Sequence, residues 1–256
     1  MRTRLALAAA TTLATSLFVA PVQAQDKPAL KPLDDSELSG VWGQALLDLT
    51  NTTLNGYDFS RLTLNADINL SASLSGLQLG TKGSTSDINI STLNFGRSDA
   101  TDAQRTVAIT DPYFEWVYSG SATTGDRQVV GMRIGFGGIA GDVGLLMNTV
   151  SGSLSLTTSA GQVGATGSQL TALTGCSGSC NVALNQIGGV TAGNTAGASR
   201  DFFLSILKSA VTYPAANAAL GASATAQAGF WLNWTDRLAA LNTTGTVPPN
   251  VPKIGP

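Results

Sequence analysis

From Leu62 to Ser75 every second residue is apolar: Leu62, Leu64, Ala66, Ile68, Leu70, Ala72 and Leu74. Thr63, Asn65, Asp67, Asn69, Ser71, Ser73 and Ser75 fill the positions between. A side-chain period of two belongs to a β-strand with one apolar and one wet face; a helix would scatter these residues around its circumference. At about 3.3 Å per residue the run would extend roughly 46 Å, more than twice a usual strand, so it is either exceptionally long or hides a bend. The five Leu and Ile side chains predict a face laid against a core. Full burial would contribute on the order of 7–15 kcal/mol before chain entropy is subtracted.

Similar patterns recur downstream. Val107–Ile109, Tyr113–Tyr118, Val129–Phe136 and Val150–Leu156 read as strands, with turns expected at Asp111-Pro112 and Gly120–Asp126. Apolar positions shift from Met132, Ile134 and Phe136 to Ile139, Val143, Leu145 and Met147, which predicts a bulge or corner at Gly137-Gly138. Asp67-Ile-Asn-Leu-Ser71 recurs as Asp87-Ile-Asn-Ile-Ser91. Two copies fall short of a solenoid, so the echo reads as two neighbouring strands of one antiparallel sheet. Helical spacing is confined to the ends. Leu38, Val41, Trp42, Ala45, Leu46 and Leu49 predict an amphipathic helix over 33–49. Phe203, Ile206, Leu207, Ala210 and Val211 predict a second, and Phe230, Trp234, Leu238 and Leu241 a third. The expected fold is mainly β, with long antiparallel strands in one sheet-rich domain (sandwich, roll or solenoid-like) and short helices near both ends.

The domain organisation follows from composition. Residues 1–24 combine Arg2 and Arg4, an apolar stretch from Leu5 to Val19, and Val22-Gln23-Ala24 as a small-x-small site. That is the pattern of a secretory signal peptide cleaved after Ala24. Its loss takes the formal charge from −2 to −4. Residues 25–244 read as the single domain, and 245–256, with four Pro, as a disordered tail. The 57 residues from Val143 to Ser199 hold no Asp, Glu, Lys or Arg. Within them the Gly/Ser/Thr-rich insertion at 157–199 suits either a long surface loop or a sheet hydrated through hydroxyls.

The toolkit for chemistry is thin. There is no His, and charged residues make up 12% of the chain, half the usual density. With 14 Lys and Arg against 16 Asp and Glu, no basic nucleic-acid surface is expected. Cys176 and Cys180 enclose Ser-Gly-Ser and predict a loop-pinning disulfide permitted by an oxidising compartment. Asp111 and Glu115 are the one candidate carboxylate pair. On a strand they share a face but lie roughly 13 Å apart, so a turn-forming Asp111 and a Glu115 paired with Arg127 or Arg133 is the better account. Asp67/Asn69 and Asp87/Asn89 offer oxygens for Ca²⁺ but lack the glycine and distal acid of a calcium loop, and read as solvated strand faces. Of Tyr113-Phe-Glu-Trp-Val-Tyr118, Phe114, Trp116 and Tyr118 share one side, while Tyr113, Glu115 and Val117 share the other. No catalytic, metal or cofactor site is expected.

Leu33-x-Asp-x-Glu-Leu-Ser-x-Val-x-Gly-Gln44 directly after a signal peptide resembles the opening of uncharacterised exported proteins of Gram-negative bacteria, some described as components of pilus or filament systems. The stretch Gly-Phe-Gly-Gly-Ile-x-Gly-Asp-Val-Gly from Gly135 to Gly144 is similar to the same proteins. The resemblance implies an envelope or surface role and carries no catalytic residues. The leading expectation is an exported, non-catalytic structural or adhesion-type protein of the periplasm, outer membrane or cell surface, partnered by other envelope proteins or by itself. A binder of lipid or another apolar ligand is the alternative, with contact at the outer membrane; an outer-membrane β-barrel is the second.

Overall fold

The computed structural model describes residues 46–120, 123–175, 180–215 and 224–251. The signal peptide and most of the expected N-terminal helix lie outside them. Chain order begins with β1 (Leu47–Leu54), β2 (Tyr57–Leu64), β3 (Asp67–Leu70), β4 (Ala72–Leu79), β5 (Ile88–Phe95) and β6 (Val107–Ser119). The 31-residue β7 (Gln128–Thr158) follows, then β8 (Gly161–Leu170), β9 (Ala172–Gly175), β10 (Cys180–Ala183) and β11 (Gly189–Ala192). The last strands are β12 (Phe203–Leu207), β13 (Val211–Thr212), β14 (Thr225–Ala226), β15 (Gly229–Trp234) and β16 (Leu238–Ala240). Fourteen of them form one largely antiparallel sheet that does not close into a barrel. The fold is mainly β, as the alternation predicts.

β7 organises the sheet. Fully extended it would reach about 100 Å, far beyond the width of a domain this size, so it must bend. Its first third runs between β6 and β12, and its middle between β5 and β11. Its last third lies beside β8 on one edge and, in parallel, β15 and β16 on the other. At Gly137-Gly138 the ladder runs through without the expected bulge: Thr110 pairs Gly138 and Pro112 pairs Phe136. There the side facing the larger core passes from Phe136 to Ile139. Opposite Gly137, Asp111 has φ 48°. The expected Asp111-Pro112 turn is therefore a kink inside one continuous 13-residue strand.

Two cores result. The larger gathers Ile88, Ile90, Val107, Ile139, Val143, Met147, Leu154, Leu173, Ile187 and Trp234. The smaller holds Phe59, Val117, Phe203, Leu207, Tyr213 and Trp231 on the other side of the sheet.

Several expectations need correction. The alternating run 62–75 spans the end of β2, all of β3 and the start of β4. Breaks at 65–66 and 71 interrupt it, and its apolar face is only partly covered: Leu70 packs against the larger core, whereas Ile68 and Leu74 are 38% and 45% exposed. The two Asp-Ile-Asn segments are not neighbours, since β3 pairs β6 while β5 pairs β4 and β7. Neither C-terminal helix forms. Phe203–Leu207 and Gly229–Trp234 are paired strands with apolar side chains on both faces, which at spacings of three and four imitate a helical stripe. Leu47–Leu49, expected to end the first helix, begin β1. The uncharged insertion is sheet, not loop, supplying β8 to β11. Residues 245–251 are anchored along β4 and β5: Asn94 Nδ2 donates to Pro248 O at 2.9 Å and Asn250 Nδ2 to Phe95 O at 2.8 Å.

Candidate functional site

Residues directly opposite one another in a sheet share a face. Following the registers across five strands, Leu49 faces Leu62, Leu62 faces Phe114, Phe114 faces Ile134, and Ile134 faces Leu204. Leu204 then faces Leu232 of β15. The parallel rows on this face are Trp116–Met132–Ile206–Phe230 and Pro112–Phe136, with Leu47–Leu64 toward the edge. One end of the band is covered by the β4–β5 hairpin, whose Leu77, Leu79, Leu93 and Phe95 pack against Leu204 and Leu232. Toward β1 the cover ends. Leu49 is 63% exposed, Phe114 46%, Ile206 44% and Ile134 39%.

Beside the hairpin the same face sinks into a groove of about 680 Å³ lined by Trp116, Val129, Met132, Ile206 and Phe230. Asp87 and Lys208 stand at its margin. The Asp87 carboxylate accepts the Phe230 N–H at 2.9 Å and ties the hairpin to β15. A Cβ at Gly80 or Gly229 would strike that carboxylate, so both glycines are needed for the close approach. Lys208 Nζ donates to Val129 O at 2.9 Å.

The opposite face is built differently. Arg61, Glu115, Arg133, Ser205 and Trp231 form one in-register row. Glu115 accepts Arg61 Nε at 2.7 Å and Arg133 Nε at 2.6 Å. Glu115 and Arg133 are fully buried. One carboxylate between two guanidiniums leaves excess positive charge in a poor solvent for ions, where aromatic π-faces give partial compensation. The Arg133 guanidinium carbon lies 4.0 Å from the Tyr213 ring centre and 5.0 Å from that of Phe203; Arg61 lies 4.2 Å from Tyr113. Tyr213 OH, Ser205 Oγ, Trp231 Nε1 and Arg133 Nη2 are buried without a hydrogen-bond partner. Burial pushes the Tyr213 hydroxyl well above the usual tyrosine range.

The structure sorts the candidate residues. Glu115 pairs with Arg133, one of the two partners expected, and with Arg61, which was not foreseen; Arg127 instead approaches Asp58 at 3.8 Å and lies over Tyr118. Asp111 sits exposed at the kink, opposite Gly137, and does not join Glu115. Asp67 and Asn69 are exposed on β3, away from Asp87; Asn89 accepts Asn148 Nδ2 at 3.1 Å. Cys180 opens β10, opposite Gly175 of β9, and Cys176 lies outside the described residues. Asp142, in the Gly135–Gly144 motif, binds Thr191 Oγ1 at 2.6 Å and Gln104 Nε2 at 2.9 Å, fastening β11 and the 102–105 turn to β7.

Sequence reasoning missed the apolar band. Its signal was present: Phe114, Trp116, Met132, Ile134 and Phe136 make both faces of β6 and β7 rich in apolar groups, where a sheet with one wet face needs only one. Comparison of the chain with family models, curated proteins and solved structures finds no match.

Proposed function

We propose that this chain is an exported, non-catalytic envelope or surface protein that works by docking other surfaces onto its sheet. The band Leu49–Leu62–Phe114–Ile134 carries the reading. Soluble proteins scatter single apolar residues over their surface, whereas a contiguous strip of large ones marks an interaction site. The signal-peptide pattern supports export, and the Cys176–Cys180 disulfide, expected to pin the β9–β10 hairpin, suits an oxidising compartment.

Both oxygens of Glu115, the one buried carboxylate of the candidate pair, are held by guanidiniums, which favours a structural role. Fractionation of cells with and without the gene, scored for envelope location and for surface appendages or adhesion, tests the reading. An envelope-located protein whose loss alters either trait supports it. A cytoplasmic protein, or one whose loss leaves both unchanged, overturns it.

A second reading rests on the groove. Its five apolar walls suit an acyl chain or similar ligand, with Lys208 placed for an anionic head. Native mass spectrometry of gently extracted protein would then show an added lipid mass that Ile206→Arg abolishes; a clean unliganded mass rejects it. The barrel reading has lost support: the described sheet is open, and a lipid-spanning sheet needs closure to satisfy its edge backbone groups.

A further inference from the structure

The groove beside the β4–β5 hairpin abuts a second space, of about 80 Å³, that lies between the hairpin and the sheet. The walls of the two are successive residues. On β12, Ile206 of the groove is followed on the same face by Leu204 of the inner space, and on β15 Phe230 is followed by Leu232. On the hairpin, Gly80 and Asp87 at the groove adjoin Leu79 and Ile88 within. Only aliphatic and aromatic side chains line the inner space. Space of this kind offers water no partners and takes apolar guests. Since a cavity of about 150 Å³ holds a benzene ring, this one has room for roughly three carbon atoms.

Charge is confined to the groove. Lys208 is exposed at its margin, and its Nζ spends one N–H on Val129 O at 2.9 Å, leaving the others for a ligand. Asp87, the other charged wall, is already engaged. Its carboxylate sits against Gly80 and Gly229 and accepts the Phe230 N–H. The matching ligand has an anionic head and one thin apolar tail.

We infer that groove and inner space form one site for a fatty acid, which rests on the reading of the groove as a lipid site. The carboxylate meets Lys208, the chain follows Ile206 and Phe230, and its last methylenes lie under the hairpin between Leu79 and Leu204. An inner space this small takes the end of one chain, so a two-chain phospholipid would leave its second tail in water. Selection by chain length follows. Burying about three further methylenes is worth roughly fiftyfold in affinity.

Isothermal titration of the processed full chain, stripped of bound lipid, compares octanoate with hexadecanoate. Wild type is expected to bind hexadecanoate at least tenfold more tightly. Leu204→Trp, which fills the inner space from the sheet side, brings hexadecanoate to the octanoate Kd and leaves octanoate unchanged. Leu77→Phe, a milder filling at a half-buried position, narrows the ratio in the same sense, and circular dichroism checks the fold of both. Lys208→Gln weakens both acids by the same factor. Equal Kd values for the two acids in wild type, or a Leu204→Trp loss shared by both, overturn the inference while the groove reading stands. Binding of neither acid overturns both. Phosphatidylglycerol bound as tightly as hexadecanoate also overturns the inference, since the ligand is then a two-chain lipid.

Discussion

The residue that most constrains the smaller core is Glu115. Replacing it by Gln leaves Arg133 buried with no counter-charge, and such losses cost about 3–5 kcal/mol. Urea unfolding of the Glu115→Gln variant measures this, and a loss below 1 kcal/mol would contradict the geometry. Tyr213→Phe has the opposite expectation. Its hydroxyl is buried and unpaired, so removing it is neutral or stabilising at pH 7.

The same residue sets an alkaline limit. Folding holds the Tyr213 proton more tightly than the unfolded chain, whose tyrosines ionise near pH 10. Stability from this group is therefore intact below about pH 10 and lost as pH rises above it. Tyr213→Phe flattens the fall in urea midpoint between pH 9 and 11; equal slopes in the two proteins would refute the assignment. Glu115–Arg133 was legible because charges are so sparse that few partners existed. Arg61 was not, because the β2–β6 register that delivers it depends on pairings the local sequence does not encode.

At the scale of elements, β7 shows why glycine is concentrated where it is. At Gly152 a Cβ would strike the Leu232 carbonyl oxygen on the parallel strand beside it, backbone against backbone with nothing flexible to yield. Gly152→Ala is expected to cost more than 2 kcal/mol in denaturant titration, whereas Gly83→Ala, with open space but φ 64°, costs about 1 kcal/mol through strain alone. A reversed order would show that the β15–β7 approach is looser than described.

Strand existence was legible wherever alternation was clean, and so was the change near Gly137-Gly138 in which side chains face the larger core. Burial was not. The alternation from Leu62 to Ser75 states which side chains share a face, but which face meets a core depends on what the rest of the chain lays over it. β12 and β15 were misread for a related reason: with apolar side chains on both faces, their sequences lose the period of two that identifies a strand.

The whole molecule is a bent sheet with a paired charge cluster on one side and an incompletely covered apolar band on the other. On the function proposed above, this band is covered in the envelope. A single cysteine at position 114, replacing Phe114, reports the cover directly through its rate of reaction with a membrane-impermeant maleimide admitted to the periplasm. The account predicts rapid labelling of dilute purified protein and at least tenfold slower labelling in intact cells, with Thr123→Cys, in a turn between β6 and β7, labelling equally fast in both. Equal rates at position 114 in cells and in dilute solution would mean that nothing docks there.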